Sequence, residues 1–202
     1  MSISPCEKSL AARRRASIFC LAFCLLAGAV ACAPFRPVED AGRFFTMRPV
    51  EDASLSEGAP SVRLDSLRVP ASLDGRKIAV RRADAEIDYN VVRLWSEPFG
   101  DEAAETLRAY LRLRGIDTPR EGAGTLGRVS VSIDRFDAME DGAIRLEAAW
   151  TWARKRGETP RRFHFDADGL WEPGDHTSLA LGKSALLRQL AESMAEVFLG
   201  QD

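Results

Sequence analysis

The sequence predicts an α/β fold, a two-layer sandwich in which two amphipathic helices pack on a mostly antiparallel sheet. Two kinds of periodicity predict it: short runs of alternating apolar and polar residues within 61–90 and 128–167, and runs of helical period at 100–115 and 177–199. Each element has one apolar face, and packing helices on a sheet buries both sets of faces. The predicted order of elements is ββ-α-βββ-α.

The first strands lie between residues 61 and 90. In SVRLDSLRV (61–69) the apolar residues change parity after Leu64, which predicts a strand with a bulge near Asp65–Ser66. The runs KIAVRR (77–82) and EIDYN (86–90) are typical of short strands around a turn. Both runs precede the first helical pattern, so they belong to the N-terminal half of the sheet.

The first helix is predicted over GDEAAETLRAYLRLRG (100–115), where Asp101 is expected to cap the N-terminus and Gly115 to end the helix. The second is predicted from about Thr177 to Leu199, with Gly200 ending it. Its buried side is expected to consist of Leu186, Leu187, Leu190, Met194, Val197 and Phe198.

Three strands are predicted between the helices, at RVSVSIDRF (128–136), AIRLEAAWTWARK (143–155) and RRFHFDA (161–167). MEDG (139–142) is typical of a hairpin turn, so the three strands are expected to form an antiparallel meander. Trp150 and Trp152 share one face of the middle strand and are expected to lie in the core.

The first 31 residues have the layout of a secretory signal peptide. Arg13–Arg15 precede the run Ile18–Ala31, and these 14 uncharged residues are fewer than the roughly 20 that span a bilayer. Cleavage after Ala31 would give a soluble exported protein, and cleavage before a lipid-bearing Cys32 would give a lipoprotein. An N-terminal transmembrane anchor is the third interpretation.

Cys32 favours the lipoprotein. Cys6, Cys20 and Cys24 would leave with the leader, so Cys32 would be the only cysteine of the mature chain, without an intramolecular disulfide partner. AVAC (29–32) resembles a bacterial lipobox, although Ala29 stands where leucine is usual. We expect a covalent acyl lipid on Cys32, no other cofactor and no metal. A bystander thiol or an intermolecular disulfide is the alternative.

Residues 32–60 are predicted to form a tether, and the globular domain is predicted at 61–202. The tether is rich in Pro, Glu, Asp, Ser and Ala, but RFFTM (43–47) is apolar enough to add an edge strand. The leader carries four of the 28 basic and one of the 30 acidic residues, so the remainder has 24 basic and 29 acidic residues, a net charge of −5. The net charge of −2 for the whole chain argues against a broad nucleic-acid-binding surface, which needs a basic patch.

The sequence offers no catalytic constellation. GAGTLG (122–127) has the spacing of a dinucleotide-binding loop, but a strand follows it where that loop needs a helix. G-x-S-x-G, P-loop and H-E-x-x-H motifs do not occur. His164 and His176 are expected to be structural, and an envelope hydrolase that uses one of them is the enzymatic alternative. Trp95 lies in loop-like surroundings, where it could form a binding surface or cover the start of the helix.

The stretch LRVPASLDGRKIAVRRADAEIDYNVVRLWSEPFGDEAAETLRAYL resembles the ABC-type transport auxiliary lipoprotein family. The family motifs occur in order: Val69-Pro70, Leu73-Asp74, Ile78 to Arg81, and Trp95-Ser96-Glu97-Pro98. The resemblance covers about residues 43–199. Leu94 is a departure, because Arg93 directly precedes the tryptophan in the family pattern.

The resemblance implies a non-enzymatic outer-membrane lipoprotein that faces the periplasm and is similar to the PqiC-like members. Such proteins work with an MCE-domain protein and an ABC transporter in moving lipids between membranes, and can form homo-oligomeric rings. Arg93, Trp95, Glu97 and Pro98 are the candidate partner-binding residues. A stand-alone envelope lipoprotein that binds lipid or envelope polymer is the alternative.

Overall fold

The computed structural model describes residues 42–51, 53–122, 125–155 and 157–200. Cys32, the leader and most of the N-terminal half of the predicted tether lie outside the described residues, so the expectations about them remain predictions. The described elements are β1 (Arg43–Phe45), β2 (Val62–Arg68), β3 (Lys77–Ala83), β4 (Glu86–Trp95), α1 (Phe99–Leu113), β5 (Gly127–Ala138), β6 (Ile144–Arg154), β7 (Gly157–Ala167) and α2 (His176–Leu199).

The predicted α/β class is confirmed, with the strands divided between two sheets. One sheet has the order β1-β4-β3 and the other β2-β5-β6-β7. The β1–β4 and β2–β5 pairs are parallel and the other three are antiparallel, so the architecture is mostly antiparallel. The strand at β1 and the three runs from 61 to 90 place four strands before α1. The sheets meet at an isolated bridge between Arg81 and Met139.

The local predictions for the four-stranded sheet are confirmed. The register of β2 shifts between Leu64 and Ser66, where the parity change predicted a bulge. Strands β5, β6 and β7 form the antiparallel meander. Trp150 and Trp152 are buried, and both rings meet Phe198 of α2 edge-on, at centroid distances of 5.6 and 5.0 Å. These contacts fix α2 on the inner face of the sheet.

The expected cap of α1 is wrong. The helix begins at Phe99, Pro98 is the N-cap without a side-chain hydrogen bond, and Asp101 lies in the first turn. Packing sets this start, because Phe99 is buried between Trp95 and Phe136 with ring centroids 5.7 Å from each. A proline at the start of a helix costs no backbone hydrogen bond, since its missing N–H would have had no partner there.

The far ends of the helices follow the sequence more closely. Gly115 adopts a φ of 78°, and its N–H donates to the carbonyl of Arg112, which ends α1 in the left-handed conformation that glycine favours. Gly200 is the C-cap of α2. The side chain of Asp175 accepts the N–H of Thr177 at 2.8 Å and so caps the start of α2. Within the described ranges, neither helix is long and apolar enough to cross a membrane.

Candidate partner-binding surface

The predicted site residues lie beside the point where the chain enters the domain. In the parallel β1–β4 pair, Arg43 is the partner of Arg93 and Phe45 is the partner of Trp95. Gly42, the residue before β1, lies beside β4. A β-carbon added there would be in van der Waals contact with the carbonyl oxygen of Val92, at 3.7 Å. The candidate residues therefore flank the segment that follows the predicted lipid-bearing cysteine.

The four candidate residues divide into core and surface. Trp95 is buried, and its ring packs 5.7 Å from that of Phe99, so it covers the start of α1. Arg93 and Pro98 are exposed, and the side chain of Glu97 is 45% exposed. A partner can therefore reach three of the four residues directly, and Trp95 supports them from beneath.

Glu97 forms an ion pair with Arg48 of the N-terminal segment. The Arg48 Nη2 atom donates to Glu97 Oε2, and both side chains are partly exposed. Burial tends to lower the pKa of Arg48, but the hydrogen bond to Glu97 and the negative charge of Glu102 raise it above the ordinary value. The ion pair joins the N-terminal segment to the turn before α1.

A buried carboxylate holds the same segment from the inside. Glu102 of α1 is fully buried, and its Oε1 accepts the Met47 N–H at 2.8 Å and the Thr46 hydroxyl. Its other oxygen accepts the Ser96 hydroxyl at 2.6 Å, and Arg48 Nη2 lies 3.8 Å from it. A carboxylate in the first turn of a helix also faces the positive end of the helix dipole. We call these five residues the Glu102 clasp.

The second helix binds the segment as well. Met47 is buried, and its carbonyl oxygen accepts the hydroxyl of Ser184. Ser184 also shares a 2.7 Å hydrogen bond with the hydroxyl of Tyr110 on α1. The ring of Phe45 lies 5.9 Å from that of His176, at the start of α2. Both helices therefore hold residues 45–48, which lie in the predicted tether and overlap the edge strand expected there at 43–47.

Beneath the clasp, the ammonium group of Lys183 is enclosed by aromatic rings. Lys183 Nζ donates to the carbonyl of Phe136 at 2.9 Å and lies 4.6 Å from the Phe136 ring and 4.8 Å from the Phe99 ring. The Trp95 ring is 6.0 Å away. Burial lowers the pKa of Lys183 to about 7, against the opposing influence of the Asp137 carboxylate. Cation–π attraction and one hydrogen bond offset part of the desolvation cost.

Lys183 was missed by sequence reasoning, although its position carries a signal. It lies four residues before Leu187, in the apolar stripe of α2, where a solvated lysine is not expected. Glu102 was also missed, because an acidic residue in the first turn of a helix is ordinarily exposed and needs no partner.

The two sheets are joined by a second charge cluster. Arg81 of β3 and Arg135 of β5 both donate through Nε to Asp137 Oδ2, each at 2.7 Å. Burial alone would raise the pKa of Asp137, but the hydrogen bonds and charges of the two arginines lower it below the ordinary value. The cluster borders an open cleft of about 290 Å³ between Pro70–Leu73 and β5.

The two histidines lie on different elements and have different polar neighbours. His164 is exposed on β7, with its Nδ1 3.7 Å from the Glu147 carboxylate. His176 lies at the start of α2, 3.4 Å from the Asn90 side chain, and its pKa is lowered by burial and by the charge of Arg93. Across the described part of the chain, no three potential metal ligands gather.

Comparison with known proteins now defines the family. The sequence profile of the ABC-type transport auxiliary lipoprotein component matches residues 45–195, which include every described element except the first two residues of β1 and the last turn of α2. The chain belongs to this family. The resemblance seen in the Trp-x-Glu-Pro region is thus confirmed. Members of this family are lipoproteins associated with ABC-type transport systems, so the protein belongs to a membrane-anchored class.

Solved structures share the fold of this auxiliary component. A crystal structure of an uncharacterized protein superposes with a TM-score of 0.62 at 18% identity, covering 73% of this chain and 95% of the other. Protein XCC0632 from Xanthomonas campestris, assigned to DUF330, superposes with a TM-score of 0.57 at 17% identity, covering 76% and 95%. A search of curated proteins found no significant match.

Proposed function

We propose that the protein is a non-enzymatic outer-membrane lipoprotein subunit of an MCE/ABC-type lipid transport system. In this proposal an acyl lipid on Cys32 anchors the chain in the membrane, and the domain faces the periplasm and docks the MCE component there. Family membership supports the association with an ABC-type system, and the leader followed by Cys32 supports the anchor.

One observation carries the docking role: residues 43–48 belong to the folded domain. Only the ten residues 33–42 separate Cys32 from β1, and ten residues span at most about 35 Å when fully extended. An anchored domain would therefore stay near its membrane, which suits a component that recruits a periplasmic partner.

The exposed residues at the far end of β1 and β4 are the proposed docking surface. Glu97 and Pro98, together with Arg48, lie at the end of the strand pair opposite to Arg43 and Arg93. This end is separated from the entry of the tether by the length of the β1–β4 pairing. Ion pairs that are half-exposed, such as Arg48–Glu97, contribute more to specificity and orientation than to affinity.

Site-specific photo-crosslinking in cells tests the proposal. A photoreactive residue at Asp101, an exposed position three residues after Pro98, is expected to capture an MCE-domain protein. The same residue at Arg162, exposed on β7, is the matched control and is expected to give little of that product. Membrane-bound protein that gives no MCE adduct from either position would contradict the transport role. A mature mass without acyl chains would contradict the anchor.

The enzymatic alternative is tested separately. A variant with both His164→Ala and His176→Ala is expected to complement a deletion strain as well as the natural protein does. His164 is exposed, and His176 makes two long hydrogen bonds, 3.4 Å to the Asn90 side chain and 3.2 Å to the Gly174 carbonyl, so the double variant is expected to fold. Loss of complementation with normal protein levels would instead favour a hydrolase.

A further inference from the structure

The edge at which the chain enters the domain places two arginines side by side. Arg43 and Arg93 are direct partners in the parallel β1–β4 pair, and both are exposed. Neither guanidinium has an ion-pair partner among the described residues. Like charges directly opposite one another in a sheet are unfavourable, so the pair would be stabilised by an anion from outside the domain.

Exposed apolar side chains lie close in sequence to both arginines. Phe44 is 59% exposed and Val91 is 70% exposed. The side chain of Asn90 accepts the N–H groups of Val92 at 3.0 Å and Arg93 at 2.8 Å, which holds residues 91–93 in a bulge. The Asn90 side chain thus stabilises the bulge in β4, and the Val91 side chain in this bulge is exposed to solvent.

A third cation stands over the exposed ring. The guanidinium of Arg76 lies 5.1 Å from the ring centroid of Phe44, and its hydrogen bonds go to the backbone carbonyls of Trp95 and Ser96. No carboxylate in the described part of the chain forms an ion pair with Arg76. The edge therefore combines guanidinium groups with an exposed aromatic ring and an aliphatic side chain. This local positive charge contrasts with the chain as a whole, which without its leader has 24 basic and 29 acidic residues and a net charge of −5.

We propose that this entry edge, defined as Gly42, Arg43, Phe44, Val91 and Arg93, contacts the anionic phospholipid headgroups of the leaflet that holds the anchor. The arginines bind phosphate oxygens, and Phe44 and Val91 enter the interfacial layer. The inference rests on the proposed lipid anchor, and it assigns Arg93 to the membrane and leaves Glu97 and Pro98 to the protein partner.

The short connection to Cys32 and the positive charge of the arginines favour an anionic membrane surface as the binding partner. The entry edge begins with Gly42, the tenth residue after Cys32, so it is the part of the domain closest along the chain to the anchor. An anionic leaflet attracts basic residues only within about one Debye length, roughly 8 Å at physiological salt. The short connection lets the arginines come within reach of that field.

The test uses the full mature lipoprotein reconstituted in vesicles. Acylation would occupy Cys32, so Val91→Cys would supply the only free thiol for a nitroxide spin label. Collision of the nitroxide with a water-soluble nickel chelate is measured in phosphatidylcholine vesicles and in vesicles with 30% phosphatidylglycerol, roughly the anionic content that gives a strong surface potential. Arg161→Cys, exposed on β7, carries the control label.

We expect a severalfold lower collision rate at Val91 in the anionic vesicles, with no change at position 161. Adding Arg43→Glu and Arg93→Glu should restore the high rate, and Arg43→Gln with Arg93→Gln provides a second variant should the reversal impair folding. Equal collision rates at Val91 in both vesicles, with an acylated chain, would overturn the headgroup contact alone. Protection that appears only when an MCE partner is added would also overturn it. A mass spectrum with unmodified Cys32 would instead show that the anchor, and with it this inference, is wrong.

Discussion

The carboxylate of Glu102 accepts the backbone N–H of Met47 at 2.8 Å, although the two residues are 55 positions apart in sequence. Both are fully or almost fully buried. The bond ties the segment that enters the domain to the first turn of α1, next to the Trp-x-Glu-Pro motif. A force applied to the N-terminal segment would therefore be transmitted to α1.

Glu102→Ala is expected to lower the free energy of unfolding by about 2–3 kcal/mol, because three donors would lose their acceptor inside the protein. Urea denaturation measures the loss, and hydrogen exchange should show faster exchange at the Met47 amide. Glu105→Ala is the matched control on the same helix, since Glu105 bonds only to the arginines at 108 and 120. An unchanged Met47 exchange rate in Glu102→Ala would show that the clasp does not hold the segment.

Lys183 predicts a stability that rises with pH. Because burial lowers its pKa to about 7, the unfolded chain binds more protons than the folded protein between pH 7 and the ordinary value of 10.5. Lys183→Met removes the amine that binds a proton on unfolding, and it keeps a side chain of similar length. The stability of the variant relative to the natural protein should therefore fall by about 1 kcal/mol for each pH unit in that range.

Urea denaturation at pH 7 and pH 9 checks this difference, with Lys77→Met as the control because Lys77 is exposed. The difference in free energy of unfolding between variant and natural protein is expected to change more with pH for Lys183→Met than for Lys77→Met. Identical pH profiles of the natural protein and Lys183→Met would mean that the buried amine does not titrate in this range.

Sequence periodicity predicted the part of the fold in which alternation is unbroken. Val129, Val131 and Ile133 all point into the core, and so does the apolar stripe of α2 from Leu186 to Phe198. These elements are simple to predict because each buries one continuous face, so a period of 2 or 3.6 residues remains visible in the sequence.

Sequence reasoning failed at β4 for a local reason. The strand was predicted to end at Asn90, and Trp95 was assigned to loop-like surroundings, but β4 continues to Trp95. The bulge at 91–93 breaks the alternation, and the Asn90 side chain that stabilises it belongs to a residue type usually associated with turns. The Glu102 clasp could not be predicted either, since its partners are identified only when distant segments meet.

Asp137→Asn is expected to lower the free energy of unfolding by about 2 kcal/mol at pH 7, because Arg81 and Arg135 would lose their shared carboxylate. The pKa of Asp137 is below its ordinary value of 3.8, so its contribution is complete above that pH and is lost as the pH falls through the folded pKa. Denaturation at pH 7 and pH 3 should show the difference between variant and natural protein narrowing. Asp134→Asn, exposed on the same strand, is the control; an equal effect from both would refute the specific role of Asp137.

Two glycines within helices should respond in opposite directions to alanine. A β-carbon at Gly182 of α2 would lie 2.7 Å from both the Leu170 carbonyl oxygen and the Ile144 side chain, whereas one at Gly100 of α1 would meet only Val69, at 3.5 Å. Alanine is the better helix former by about 1 kcal/mol, so Gly100→Ala is expected to be neutral or stabilising.

Gly182→Ala should instead lower the free energy of unfolding by about 2 kcal/mol, because the backbone at Leu170 cannot move away as a flexible side chain can. The chain between β7 and α2 crosses the helix at this point, and its close approach requires the glycine. Parallel urea denaturation of the two variants measures the contrast. If both substitutions raised stability alike, helix propensity would dominate at Gly182. The inference that the close approach of Leu170 to α2 requires a glycine would then be wrong.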